Sequence, residues 1–465
     1  MELEGKSAVV VGMARSGVAA AEFLLGRGAR VVATDRKPAA ELPAEVTRLH
    51  QKGARLALGA HDAATFAGVD LVVVSPGVPW DLPELVAARR AGVEVIAELE
   101  LGFRCLSGTV AAITGTKGKS TTTAALGAML KQAGEDVRVG GNIGEAVTGL
   151  VEGSTEKTVF VLEVSSFQLE GTEAFHPHVA VFLNLSPDHL DRHPSFEDYA
   201  RAKARIFRNQ TDEDWAVVNA DDPGVLALAR EGRARMLPFH PRPAAAALAE
   251  RRGPAAFFAT EEARLRRAGG AVETLFPLSA VRLPGPHLAG DLLAAAAAAR
   301  LLGADAAAVE SAVRGFAGVE HVLERVAEIG GVAFFNDSKA TNVESARKSI
   351  EAFPGPLLVV MGGRYKGGDF SELAGALAAR GKAVLAIGEA QGRIVEALGS
   401  VLPVIACASL AGAVERAWAE AAPGDTVLLA PACSSFDMFD DYAARGRAFK
   451  EEVRRLERRE REARG

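Results

Sequence analysis

Residues 108–124 read GTVAAITGTKGKSTTTA: small apolar residues, a glycine-rich turn ending in Gly118-Lys119-Ser120, then a stretch with helical spacing. A buried strand passing through such a turn into a helix demands a sheet on which that helix packs back. Glycines let backbone N–H groups approach a phosphate, and the helix N-terminus adds favourable partial charge. Lys119 is then placed to reach terminal phosphates, and the Ser120 hydroxyl to ligate Mg²⁺. A strict phosphate-loop motif has glycine where this chain has Ile113, so the loop is a shorter variant. The competing reading is a glycine turn capped by serine and threonine.

The same alternation recurs along the chain. Apolar runs at Ala8–Val11, Arg30–Thr34 and Leu71–Ser75 come before the phosphate loop, and Val159–Val164 and Val179–Leu185 after it. Another set lies near Leu357–Met361, Ala383–Ile387 and Thr426–Leu429. These runs lack polar alternation, as expected of parallel strands covered on both faces, so the expected class is α/β with doubly wound sheets. A length of 465 residues, at ~150 per domain, suggests about three domains. Boundaries are expected near Glu98 and Gly318, giving 1–98, 99–318 and 319–465. Residues Pro241–Gly270, rich in Ala, Arg and Pro, read as a variable part of the middle domain.

A net charge of −6 argues against a nucleic-acid or membrane-surface partner. No stretch of 18 or more apolar residues exists to span a bilayer, and Ala8–Val11 is too short for a signal peptide. Three cysteines with no metal-ligand spacing make no disulfide scaffold. The expectation is a cytoplasmic protein.

Three further sites carry chemistry. Gly12-Met-Ala-Arg-Ser-Gly17 follows a strand and Asp35 ends the next, like half of a dinucleotide fold, but Ala14 replaces the middle glycine. A nucleotide's ribose or base near Asp35 and Arg36 competes here with a packing role. Glu163 ends a buried strand, and His189 follows another. They either hold a metal beside the phosphate loop or are hydrogen-bonded strand-end residues. After Pro194, Ser195 and Asp198 suggest a capping box. The following helix carries Phe196, Tyr199, Ala200, Ile206 and Phe207 on an apolar stripe that includes Lys203. Spacing alone admits a snorkelling cation or a buried neutral amine able to capture CO₂ as a metal-binding carbamate.

Taken together, ITGTKGKSTTT, GGNIG (140–144), LEVSSFQLE (162–170), LNLSPDHLDRH (183–193), RAKARIF (201–207), NDSKATN (336–342) and LLAPACSSFDMF (428–439) resemble the Mur ligase family over nearly the whole chain. The resemblance implies Rossmann-like N- and C-terminal domains around a central P-loop ATPase-like domain, and an ATP-dependent carbon–nitrogen ligase of peptidoglycan precursor synthesis. NDSKATN and PACSSFDMF point to the branch that adds D-glutamate to UDP-N-acetylmuramoyl-L-alanine through an acyl phosphate. Sister ligases adding another amino acid, a P-loop ATPase of regulatory function and a nucleotide-binding dehydrogenase are the alternatives.

By that resemblance, Gly115, Thr116, Lys117, Gly118, Lys119, Ser120 and Thr121 cradle ATP, with Asp291 and Asp337 touching the nucleotide. Ser120, Glu163, His189 and a carbamylated Lys203 hold Mg²⁺, two ions in the family. Lys119, His189, Lys203 and Lys339 are the expected catalytic groups. Ala14, Arg15, Asp35, Arg36, Gly77 and Asn142 surround the UDP-substrate, while Thr341, Lys366, Ser435 and Phe436 form the D-glutamate pocket. A monomer is expected. Two positions depart from the family pattern: Asp291 stands where relatives carry asparagine, and Val322 where they carry an arginine that contacts ATP.

Overall fold

The structure, a computed structural model, describes residues 1–190, 192–242, 253–282 and 285–464. Asp191 of the LDRH motif and residues 243–252 of the Ala/Arg/Pro-rich stretch lie outside the described residues. Contacts divide the chain into two compact units, Met1–Val281 with Gly290–Gly315, and Arg282–Ala289 with Phe316–Gly465.

The first unit holds two sheets. One is parallel, in spatial order Arg55–Leu58, Arg30–Asp35, Ser7–Val11, Leu71–Val74, Glu94–Ala97. Chain order reverses direction between Ser7–Val11 and Leu71–Val74, and ligands bind in the crevice at such a switch point. The loop there is tight: a Cβ on Gly17 would lie 1.8 Å from the Gly12 carbonyl oxygen, so helix Arg15–Gly26 packs this closely only with glycine at 17.

The second sheet has nine strands among the described residues. Its centre sets Thr109–Thr114 between Thr158–Glu163 and Val179–Phe182, all parallel. The strand Val179–Phe182 ends before the predicted Leu185, because Leu183 to Leu185 leave the ladder to wrap the phosphate loop. The predicted variable stretch contains strands Ala255–Ala259 and Glu262–Arg266, an antiparallel hairpin extended by Val272–Pro277. The first strand is buried along its length, while on the second Arg264 pairs with Glu262 of the same strand and the buried Arg266 donates to Gly253 O at 2.7 Å. Helix Phe196–Ala204 is capped by the Ser195 hydroxyl, but the Asp198 carboxylate accepts from that hydroxyl rather than from the Ser195 backbone N–H. The reciprocal box forms instead at Ser165 and Gln168.

The second unit carries a six-stranded sheet, in order Glu324–Ile329, Val332–Asn336, Thr426–Leu429, Leu357–Gly362, Gly381–Ile387, Val404–Ala406. Only the first pair is antiparallel. The central strand Leu357–Gly362 is buried along its whole length, and its two faces feed separate apolar clusters.

Candidate active site

At the switch point of the first sheet lies a cavity of about 580 Å³, lined among others by Ala14, Asp35, Arg36, His61, Gly77 and Val78. Ala14, Asp35, Arg36 and Gly77 were expected there. Asp35 is committed to the loop: its oxygens accept from Met13 N at 2.6 Å and Lys37 N at 2.9 Å. His61 was not legible from sequence. It is pinned through Nδ1 to Thr34 Oγ1 at 3.0 Å and lies edge-on to Phe66. Arg15 and Asn142 lie beyond the cavity, where the Arg15 guanidinium donates to the Asn142 carbonyl at 3.1 Å.

The phosphate loop sits at the C-terminal edge of the second sheet. Gly118 takes φ +84°, a left-handed conformation that starts helix Lys119–Gln132, and Lys119 Nζ folds back on Gly115 O and Thr116 O, both at 2.9 Å. Asn184 clasps the loop from the neighbouring strand, accepting from Lys117 N at 2.8 Å and donating to Lys117 O at 3.0 Å. Lys117 Nζ pairs with Asp188 at 3.4 Å. Thr116 Oγ1 bonds Ser186 O and the Tyr199 hydroxyl, and Thr121 is buried on the helix's inner face. A Cβ on Gly118 would lie 2.3 Å from Asp291 Oδ1, so the acid at the usual asparagine position rests directly on the loop.

Glu163 is 1% exposed and held by two donors: the Ser120 hydroxyl at 2.7 Å and Asn142 Nδ2 at 2.8 Å. A carboxylate aligned with a hydroxyl is an all-oxygen donor set of the kind a hard dication takes. His189 adopts φ +55° and sets its ring edge-on to Phe167 at 5.0 Å. Lys203 is 2% exposed; its Nζ donates to Gly115 O at 2.9 Å and sits 4.8 Å over the Tyr199 ring. Burial, with Lys119 nearby, pushes its ammonium well below the usual lysine range. The amine is therefore buried beside the phosphate loop rather than snorkelling to solvent.

In the second unit, three loops at one sheet edge carry the other predicted residues. Asp337 is buried, accepts a short hydrogen bond from the Ser349 hydroxyl, and is raised by burial to about 6. Lys339 N donates to His321 O, and Thr341 N to Lys339 O. Lys366 Nζ lies 5.9 Å from the Phe436 ring, which is 58% exposed, while Ser435 is buried. Arg445, missed in sequence, is 1% exposed and ties these loops together. Its guanidinium donates to Ser338 Oγ and O at 3.0 Å, Cys433 O at 3.2 Å, Ser434 O at 3.3 Å and Gly362 O at 3.4 Å. The Cys433 thiol is pushed up to about 12 by burial, which suits a packing residue rather than a nucleophile. Glu320, His321 and Glu324 come within metal-ligand reach of one another. The Lys450 ammonium pairs with both acids there, at 2.5 and 2.8 Å. Val322 is half-buried in that segment, and the nearby Arg325 is exposed and paired with Glu328.

Comparison with known proteins matches three family descriptions in order: "Mur ligase MurD-like, N-terminal domain" over residues 6–97, "Mur ligase middle domain" over 113–299, and "Mur ligase, glutamate ligase domain" over 323–433. The UDP-N-acetylmuramoylalanine–D-glutamate ligase of Acidobacterium capsulatum is 48% identical over 454 residues, 97% of each chain. The ligase of the same name from Solibacter usitatus is 46% identical, over 98% of this chain and 99% of that one. Among solved structures, UDP-N-acetylmuramate-alanine ligase from Thermotoga maritima shares the fold with a TM-score of 0.61, 21% identity, and coverage of 97% of this chain and 99% of that one. Three matching domains in order and relatives at nearly half identity along the whole length show that the chain belongs to the Mur ligase family.

Proposed function

We propose that this chain ligates D-glutamate to UDP-N-acetylmuramoyl-L-alanine at the expense of ATP, in peptidoglycan precursor synthesis. The observation that carries this reading is end-to-end identity of 48% and 46% with two D-glutamate ligases. The substrate carboxylate attacks the γ-phosphorus of ATP, giving an acyl phosphate and ADP. The D-glutamate amine then attacks the acyl carbon, and phosphate leaves from the tetrahedral intermediate. Positioning and charge neutralisation carry most of a phosphoryl transfer.

We assign the parts as follows. Gly115 to Thr121 cradle the phosphates, with Lys119 Nζ leaving the Gly115 and Thr116 carbonyls for the phosphate oxygens. Ser120, Glu163, His189 and Lys203 would hold Mg²⁺, which when bound neutralises charge on the transferring phosphoryl group. The oxygen pair at Ser120 and Glu163 fits that ion. A neutral Lys203 amine attacks CO₂, forming an N–C bond and releasing a proton, so the side chain becomes an anion. Asp291 and Asp337 contact the nucleotide, and Lys339 acts beside the acyl phosphate. The N-terminal cavity takes the uridine end, with Ala14, Arg15, Asp35, Arg36, Gly77 and Asn142 around the UDP-substrate. Thr341, Lys366, Ser435 and Phe436 receive D-glutamate, whose two carboxylates need a cation and hydrogen-bond donors. The division at residues 98 and 318 separates these three tasks, and one chain carries them all.

The expected result is phosphate release from ATP that requires both UDP-N-acetylmuramoyl-L-alanine and D-glutamate. Release independent of D-glutamate would sink the reading, and release supported instead by L-alanine or meso-diaminopimelate would assign a sister ligase. Val322 leaves one phosphate donor missing relative to the family pattern. Val322→Arg should lower the KM for ATP by about five- to tenfold, as one charge-assisted contact does. An unchanged KM would mean that another cation already serves.

A further inference from the structure

The proposed substrate must stretch from the uridine cavity to the phosphate loop. Its reacting carboxylate belongs near Lys119 and Glu163, and its base near Asp35 and His61. The diphosphate in between carries two negative charges, yet Gly77 and Asn142, assigned along this path, are neutral. Arg192 spans that interval. Its guanidinium donates to Gly77 O at 2.9 Å and to Val78 O at 3.4 Å, both on the cavity rim. The same group lies 4.8 Å from the Phe167 ring, which in turn lies edge-on to His189. The one guanidinium of Arg192 therefore meets the cavity rim through its N–H edge and the Phe167 ring, next to His189, through its face.

The guanidinium is held ready for an anion. It makes no ion pair among the described residues. The nearby Glu170 carboxylate is turned towards His193 Nδ1 at 3.4 Å. Two bonds to carbonyls leave several of its five N–H donors for a ligand, and a planar fork matches phosphate oxygens bidentately. Arg15 also lies along this path, but with one bond, to Asn142 O, and in an exposed position. Stacking on Phe167 and two rim carbonyls fix Arg192 more completely, which reduces the entropy lost on binding.

We propose that Arg192 is the cation that binds the diphosphate of the UDP-linked substrate, clamping it between the uridine cavity and the acyl-phosphate site. This rests on the reading that the N-terminal cavity holds uridine. It assigns Arg192 a binding role and leaves phosphoryl transfer to the groups named above.

The test compares uridine, UMP and UDP as competitive inhibitors against the UDP-substrate, in the wild-type protein and in Arg192→Gln, Arg192→Lys and Arg36→Gln. In the wild type, affinity should rise from UMP to UDP. In Arg192→Gln the gain from the second phosphate should fall by about tenfold or more, with uridine affinity unchanged. Arg192→Lys should restore part of that gain, because it keeps a charge but loses the fork. The KM for the UDP-substrate should rise in parallel, while those for ATP and D-glutamate hold. Unchanged discrimination between UMP and UDP in Arg192→Gln overturns the proposal, and its loss in Arg36→Gln alone moves the role to Arg36. Equal loss of uridine and UDP also overturns it, leaving Arg192 as a prop for the rim. A wild-type protein that binds none of the three nucleotides overturns the cavity reading and the clamp together.

Discussion

Lys203→Ala should lose D-glutamate-dependent ligation by a factor of about 10³ or more, and a short carboxylate such as acetate or formate should restore part of it. The argument is electrostatic. Lys203 is 2% exposed, and its ammonium is pushed well below the usual range by burial first and by Lys119 second. A permanent cation would be costly there and would be repelled by the nearby Lys119 ammonium. A neutral amine, by contrast, is a nucleophile towards CO₂, and the anion formed would lie beside Gly115, whose carbonyl accepts from Lys203 Nζ at 2.9 Å. Removing a single oriented neutral donor from an active site costs about 10²–10³ in turnover, and losing a metal-binding anion should cost at least that much. A diffusible carboxylate fills the space left by the side chain and supplies the missing negative oxygen. Full activity in the untreated mutant would remove any role for a carbamate. An inactive mutant that folds normally but no carboxylate rescues would make Lys203 a structural support for Gly115 and Tyr199.

The second large effect is on stability. Arg445→Met should destabilise the C-terminal unit by about 3 kcal/mol, because the carbonyls of Ser338, Gly362, Cys433 and Ser434 lose a buried donor. Burial lowers the guanidinium only to about 10, so at neutral pH it remains the charged, full donor set. For a unit of this size, that loss corresponds to a fall of roughly 6–12 °C in Tm. Differential scanning calorimetry of the whole chain reads it directly. Arg445→Lys should fall between mutant and wild type, since three donors on a flexible stem reach some of the same carbonyls. If Arg445→Met melts with the wild type, water already satisfies those carbonyls and the network contributes little.

Much of the architecture was legible in the amino-acid order because it depends on local pattern. Unbroken apolar runs marked the central strands. The Gly-Lys-Ser turn marked the passage from buried strand to helix, and helical spacing put Lys203 on an apolar stripe while leaving open whether its amine is buried or snorkels; the packing decides that it is buried. The short hairpin at Ala255–Ala259 and Glu262–Arg266 was not legible, since its second strand mixes Glu262, Arg264 and a buried Arg266 with apolar residues, and Arg266 is satisfied by the distant Gly253 carbonyl.

Chain order also singled out the candidate residues for phosphate, metal and amine chemistry, because each motif lies within a few consecutive residues. What only the tertiary structure decided is which distant groups meet. Arg445 reaches loops more than a hundred residues away at Ser338, and Arg192 reaches Gly77 across a similar span. Asn184 closes on Lys117, and His61 lines the N-terminal cavity. Such pairings arise from packed sheets that bring separate strand ends to one edge, and no spacing along the chain encodes them.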